Sequence, residues 1–177
     1  MIYSFLQNGD SAVTVQFKNE ISEEVNRRVT GLCNRIEAKH INGIIELVPT
    51  FASLTVFYDC TIISSKKLKK KIKSLINGGE CDVKSTAKVW NIPVCYDDEF
   101  ALDMKNVCSH TALEREEVIK LHTSKPYLIY MLGFLPGFAY LGGMDERLFT
   151  PRLKTPRLEI FEGAVGIGGE QTGIYPI

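Results

Sequence analysis

Short apolar runs alternate with helical periodicity over the first eighty or so residues, and the runs Tyr3 to Leu6 and Ala12 to Phe17 predict two strands joined by the turn-forming Asn8-Gly9-Asp10. A helix follows. Ser22 is a good N-cap, Glu23 and Glu24 suit the first turn, and Val25, Val29, Leu32 and Ile36 recur at helical spacing, with Gly31 weakening the pattern without ending it. Ile44 to Val48 and Leu54 to Tyr58, rich in β-branched and aromatic residues and separated by Pro49, predict a second strand pair. The next helix buries Leu68, Ile72, Leu75 and Ile76 beneath a coat of lysines at 66, 67, 69, 70, 71 and 73. That charge reads as a solvated outer face, with a docking face for an acidic partner or phosphates as the alternative. Strands and then a helix, twice over, predict an α+β class with a small N-terminal α+β sandwich domain over residues 1–80.

Asn77-Gly78-Gly79 ends the helix and begins a polar passage through Ser85, which places a domain boundary near residues 78 to 87. Beyond it, Lys88 to Tyr96 reads as a strand. Phe100 to Cys108 and Thr111 to His122 read as helices, the second opened by a capping box of Thr111 and Glu114. From Tyr127 onward the sequence is strand and loop. The stretch from Tyr127 to Met144 carries no charge over about eighteen residues, the crude length of a membrane span, but Pro136 and its glycines break any continuous helix. It reads as a buried strand running into a loop. The second domain is expected over residues 86–177.

Composition narrows the function classes. The 177 residues carry 21 basic and 21 acidic side chains, so the simplest electrostatic case for a nucleic-acid or anionic-membrane partner is missing. Five scattered cysteines without a C-x-x-C pair indicate neither a disulfide framework nor a metal centre, and read as buried reduced thiols of a cytoplasmic protein. The apolar start, Met1 to Leu6, lacks a basic leader and reads as a strand.

Candidate chemistry concentrates after His122, one of three histidines, which closes a helix just before the loop-rich region. An imidazole there is either a proton-exchanging group or a helix C-terminal residue stabilised by the dipole. Arg152 and Arg157 each follow a proline, and each guanidinium fork matches carboxylate or phosphoryl oxygens, or else a surface carboxylate such as Asp145, Glu146 or Glu159. Gln171 and Thr172 offer amide and hydroxyl groups, while Phe134, Pro136, Phe138, Tyr140 and Tyr175 either wall a small pocket or fill a core. No Walker-type Gly-Lys-Ser/Thr is present, and Gly166-x-Gly168-Gly169 lacks the dinucleotide spacing. ATP chemistry would need residues of another chain.

Gly133-Phe134-x-Pro136-Gly137-Phe138-x-Tyr140-Leu141, Pro151-Arg152, Pro156-Arg157 and Gly166-Ile167-x-Gly169-x-Gln171-Thr172-Gly173-Ile174-Tyr175-Pro176 together resemble the signature of the B subunit of bacterial ATP-hydrolysing 5-oxoprolinase. That family includes the kinase inhibitor KipI and the protein called allophanate hydrolase subunit 1; no amidase Ser-Ser-Lys machinery supports the latter label. The resemblance extends upstream through Gly9-Asp10, Ser53-Leu54, Tyr58-Asp59, Ile92 to Tyr96 and Glu117 to His122. Asp97 to Phe100 and Phe161 to Ala164 depart from the family pattern, and the chain stops at Ile177, where the family continues through a Pro-Gly-Gly-Trp segment and further strands.

The resemblance implies a cyclophilin-like β-barrel, incomplete at its C-terminal end, for the second domain. It implies an enzyme component that works with the C and A subunits of 5-oxoprolinase and uses ATP as co-substrate, shared with the C subunit. In that scheme His122, Arg152, Arg157 and Gln171 serve catalysis on 5-oxoproline, and Phe134, Pro136, Tyr140, Thr172 and Tyr175 hold substrate, with no metal. The KipI branch implies the alternative, an inhibitor that binds a sensor histidine kinase.

Overall fold

The computed structural model describes residues 3–77 and 88–176. The chain divides into two compact units, Met1–Thr86 and Ala87–Ile177; the boundary expected at residues 78 to 87 falls outside the described residues.

In the first unit, β1 (Ser4–Asn8), β2 (Ala12–Gln16), β3 (Ile44–Pro49) and β4 (Ser53–Tyr58) form an antiparallel sheet in the order β1-β2-β4-β3. Gly9, with φ 62°, supplies the left-handed turn between β1 and β2. Pairing of Val13 with Val56 and of Val15 with Leu54 puts four aliphatic side chains on one face. There they meet Val25, Val29, Leu32 and Ile36 of α1 (Glu23–Ala38) and Leu68, Ile72 and Ile76 of α2 (Ser65–Asn77) in one core. The Ser22 hydroxyl accepts from the Val25 amide at 3.2 Å, so the expected cap opens α1. The α2 lysines flank a buried Leu68, Ile72 and Ile76 stripe.

In the second unit, α3 (Met104–Thr111) and α4 (Arg115–His122) precede a second antiparallel sheet of β5 (Leu128–Leu132), β6 (Ala139–Gly142), β7 (Val165–Gly168) and β8 (Gln171–Ile174), in the order β5-β6-β8-β7. Val118, Leu121, Met144 and Leu148 form its core, with Val107, Tyr127 and Ile167 packed against it. A short 3-10 turn, Glu146–Leu148, is capped by Asp145, whose carboxylate accepts from the Arg147 amide at 3.1 Å.

The structure departs from several expectations. Among the described residues the second sheet is open, with β5 and β7 as edges, so there is no closed barrel. Residues 88–96 carry no strand, although Val89, Trp90 and Ile92 suit one; β-propensity reports fit to a pleated surface and does not provide a pairing partner. The first helix of this unit starts at Met104 rather than Phe100. The Thr111 capping box does not form. Thr111 ends α3, its hydroxyl donating to the Val107 carbonyl at 2.8 Å, and Ala112 in the left-handed conformation turns the chain before α4. Of the described cysteines, Cys33 is buried, Cys108 half-buried, and Cys60 and Cys95 exposed, so burial does not hold for the set. Among the described residues no helix is long and apolar enough to cross a membrane.

Candidate functional site

α4 ends at His122 because Thr123 and Ser124 turn back on it, their hydroxyls donating to the carbonyls of Ile119 and Leu121 at 2.8 Å each. This delivers the imidazole, only 9% exposed, beneath the sheet. Both ring nitrogens are engaged: Nδ1 lies 2.6 Å from the Tyr96 hydroxyl and Nε2 lies 3.2 Å from Oγ1 of Thr172. The Thr172 hydroxyl donates its one proton to the Gly166 carbonyl at 3.0 Å, so toward His122 it accepts. The direction of the chain follows. Tyr96 donates to Nδ1, Nε2–H donates to Thr172, and Thr172 donates to Gly166, with the imidazole neutral throughout. Burial pushes the His122 pKa below its ordinary value, in agreement with a neutral ring, and pushes that of Tyr96 up. The Tyr127 hydroxyl donates to the His122 carbonyl at 2.8 Å; burial foremost, then the charges of Tyr96 and Asp145, raise its pKa to about 12. Arg115 at the start of α4 donates to the Tyr96 carbonyl and pairs with Asp98, fixing the segment that carries the tyrosine.

Strand alternation separates the remaining candidates from His122. Thr172 lies directly across from Leu141 and Ile167, on the face covered by α4 and the core. Its neighbours Gln171 and Gly173 therefore point to the opposite face, and Gly173 is flanked there by Tyr140 and Gly166. Phe138 lies over Gly173; a β-carbon at that position would sit 2.6 Å from Cζ of the ring. Tyr175 lies beside Gly166, with Cε2 3.6 Å from the equivalent point. The rings form one edge-to-face cluster. Phe138 meets Tyr140 at 4.7 Å, Tyr175 at 4.9 Å and Phe134 at 5.7 Å between centroids.

Gly168 pairs with Gln171 on the same face, and Arg152 lies along Gly168 with Nε 3.2 Å from where a β-carbon would stand. Arg152 is exposed and makes no ion pair among the described residues. Nε2 of Gln171 is buried with no hydrogen-bond partner. A guanidinium is a donor only, and this amide nitrogen is a donor too, so both are of the kind that serves an acceptor such as a carboxylate, a phosphoryl oxygen or an amide carbonyl.

The structure thus gathers Phe134, Tyr140, Arg152, Gln171 and Tyr175 on one face and His122 with Thr172 on the other. Pro136 sits exposed in the β5–β6 loop, where Phe134 at φ 64° and Gly137 at φ 85° make the turn. Arg157 stands apart, held bidentately by Asp103 at 2.5 and 3.3 Å. Tyr96, Tyr127 and Arg115 escaped the sequence reading; Tyr96 is 26 residues from its partner, beyond any local motif. Among the described residues no cluster of three His, Cys, Asp or Glu side chains suits a metal ion.

The fold is shared with the Kluyveromyces lactis urea carboxylase, matched with a TM-score of 0.78 at 20% identity over 98% of this chain and 18% of that one. The family model for the carboxyltransferase domain, subdomains C and D, matches residues 3–177, and the chain belongs to this family, together with the proteins named as the B subunit of 5-oxoprolinase. It is 42% identical to the 5-oxoprolinase B subunit of Bacillus subtilis over 99% of this chain and 77% of that protein. It is 35% identical to the B subunit of Haemophilus influenzae over 94% of this chain and 76% of that protein. The crystal structure of TTHA0988 matches with a TM-score of 0.80 at 34% identity over 94% of this chain, which spans 32% of the length of that one.

Proposed function

We propose that this chain acts as the B component of a cytoplasmic ATP-dependent 5-oxoprolinase. With a C component it activates 5-oxo-L-proline by phosphoryl transfer from ATP to the lactam oxygen, and with an A component the activated ring is opened by water to L-glutamate. The observation that carries this reading is the 42% identity, across 99% of the chain, to a protein named as the B subunit of 5-oxoprolinase. The lactam is a poor electrophile until its oxygen becomes a leaving group, so a binding component needs donors for the carboxylate and the lactam oxygen and a wall for the ring. The glycine-floored face supplies groups of those kinds. Arg152 takes carboxylate or phosphoryl oxygens on its fork, and Gln171 donates to the lactam carbonyl. Phe134, Tyr140 and Tyr175 wall the ring, with Pro136 shaping the loop. Arg157 contributes charge once released from Asp103, and His122 with Thr172 holds β8 from behind. With no P-loop in the sequence, the ATP site is shared with the C component.

The test is glutamate release from 5-oxoproline by the three purified components, with this chain as B. ATP-dependent turnover that vanishes when the chain is left out is expected. No turnover, with inhibition of a sensor kinase's autophosphorylation by the chain alone, overturns the reading in favour of the inhibitor class.

A further inference from the structure

A hydrogen-bond chain that can shuttle protons needs an acceptor at its far end that can take one and pass it on. Here the chain from Tyr96 through His122 and Thr172 ends on the backbone carbonyl of Gly166, which cannot. A chain of this kind orients its members instead. Its two strand-borne members bracket the candidate site: Thr172 adjoins Gln171 in β8, and Gly166 precedes Gly168, on which Arg152 lies, by two residues in β7. Tyr96 at the head has no sheet pairing to place it. Its carbonyl is instead held by Arg115, and its ring meets the imidazole edge-to-face at 6.1 Å. We propose that Tyr96 is a positioning residue: its hydroxyl fixes His122 as the neutral Nε2–H tautomer, and through Thr172 this sets the β7–β8 pairing that presents Gln171 and Arg152 on the opposite face.

The alternative tautomer is self-defeating in this geometry. With the proton on Nδ1, Nε2 would face a Thr172 oxygen whose proton is already given to Gly166, leaving two acceptors together in a buried place. Tyr96 would likewise lose its acceptor at 2.6 Å.

The experiment reads the ring directly. Proton–nitrogen correlation spectra of the wild-type chain, with His122 assigned by comparison with His122→Gln, should show Nε2 protonated and Nδ1 bare near neutral pH. A ring protonated at Nδ1 overturns the proposal, and this reading does not depend on any variant folding. In Tyr96→Phe the Nδ1 resonance should move; an unchanged ring spectrum contradicts the assignment. The functional arm rests on the proposed 5-oxoprolinase role. In the reconstituted system Tyr96→Phe and Thr172→Val should each lower kcat/KM about tenfold, the equivalent of one lost hydrogen bond at about 1.4 kcal/mol. Thr172→Ser should restore it, because the hydroxyl and not the methyl group carries the chain. Serine failing where valine succeeds would mean Thr172 only packs and would overturn the proposal. If the spectra hold but the wild-type components turn over no 5-oxoproline, the functional reading falls and the positioning chain stands.

Discussion

Gly142→Ala measures how tightly the second sheet is packed. A β-carbon at Gly142 would stand 1.9 Å from Cε2 of Tyr130, and 2.5 and 2.8 Å from two further atoms of that ring. Carbon atoms rest at roughly 3.5 Å or more, so the ring must retreat by about 1.6 Å or the strand must shift. Tyr130 is only 6% exposed and sits where the β5–β6 register slips between Ile129 and Met131, so a shift disturbs that irregularity as well. Overpacking of this sort costs about 1 to 3 kcal/mol, against about 0.4 to 1 kcal/mol regained from the loss of glycine's freedom in the unfolded chain. An approach of 1.9 Å belongs to the upper half of that overpacking range, so the net loss of about 1 to 2.6 kcal/mol lowers the melting temperature of a unit this size by about 4 to 20 °C. Differential scanning calorimetry is the assay, with Gly168→Ala as control. There the atoms nearest the new methyl group all belong to the Arg152 side chain, which is exposed and swings away, so the gain from the lost freedom of glycine remains and melting should hold or rise by about 2 to 8 °C. Equal melting of Gly142→Ala and wild type would refute the packing assigned to Tyr130.

Arg152→Lys should keep the fold and lose the planar fork, lowering 5-oxoproline turnover about tenfold or more for a charged hydrogen bond of about 1.5 to 3 kcal/mol. Arg157→Lys, which loses the bidentate hold on Asp103, should change melting by little, since such half-exposed pairs contribute about 0 to 1 kcal/mol, and a loss of turnover in the steady-state assay would show that the pair opens to substrate. His122, with its pKa depressed by burial, favours the folded state above its ordinary pKa, so denaturant-measured stability should fall as pH drops below that value, and His122→Gln should flatten this limb. Tyr127, raised to about 12, favours the folded state below the ordinary tyrosine pKa and should lose that contribution as pH climbs from about 10 to about 12.

The first unit was legible because its signals are local. The short apolar run of Ala12 to Phe17, the Asn8-Gly9-Asp10 turn and the Ser22 cap each act within a few residues. The second unit depends on partners far along the chain. Lys88 to Tyr96 has the composition of a strand, but composition names no neighbour, and the segment is fixed instead by Arg115. Thr111 and Glu114 have capping-box spacing, yet the left-handed Ala112 between them ends one helix before the other begins. In the candidate site, Arg152 and Gln171 were visible as donors, but their company was not. The signal that separates Gln171 from Thr172, and so from His122, is plain alternation along β8, available once that strand is recognised. The Tyr96–His122 contact had no comparable signal.

If this chain contributes to ATP-dependent opening of 5-oxoproline through the Arg152 and Gln171 face, both side chains must matter to turnover and neither to folding. The most direct measurement is the rate of glutamate formation by the purified A and C components with this chain, alongside Arg152→Lys and Gln171→Leu. Turnover that requires ATP and the chain, and falls about tenfold or more in each variant while melting is unchanged, is the predicted result. Wild-type rates in both variants would contradict the claim and move the substrate site away from this face.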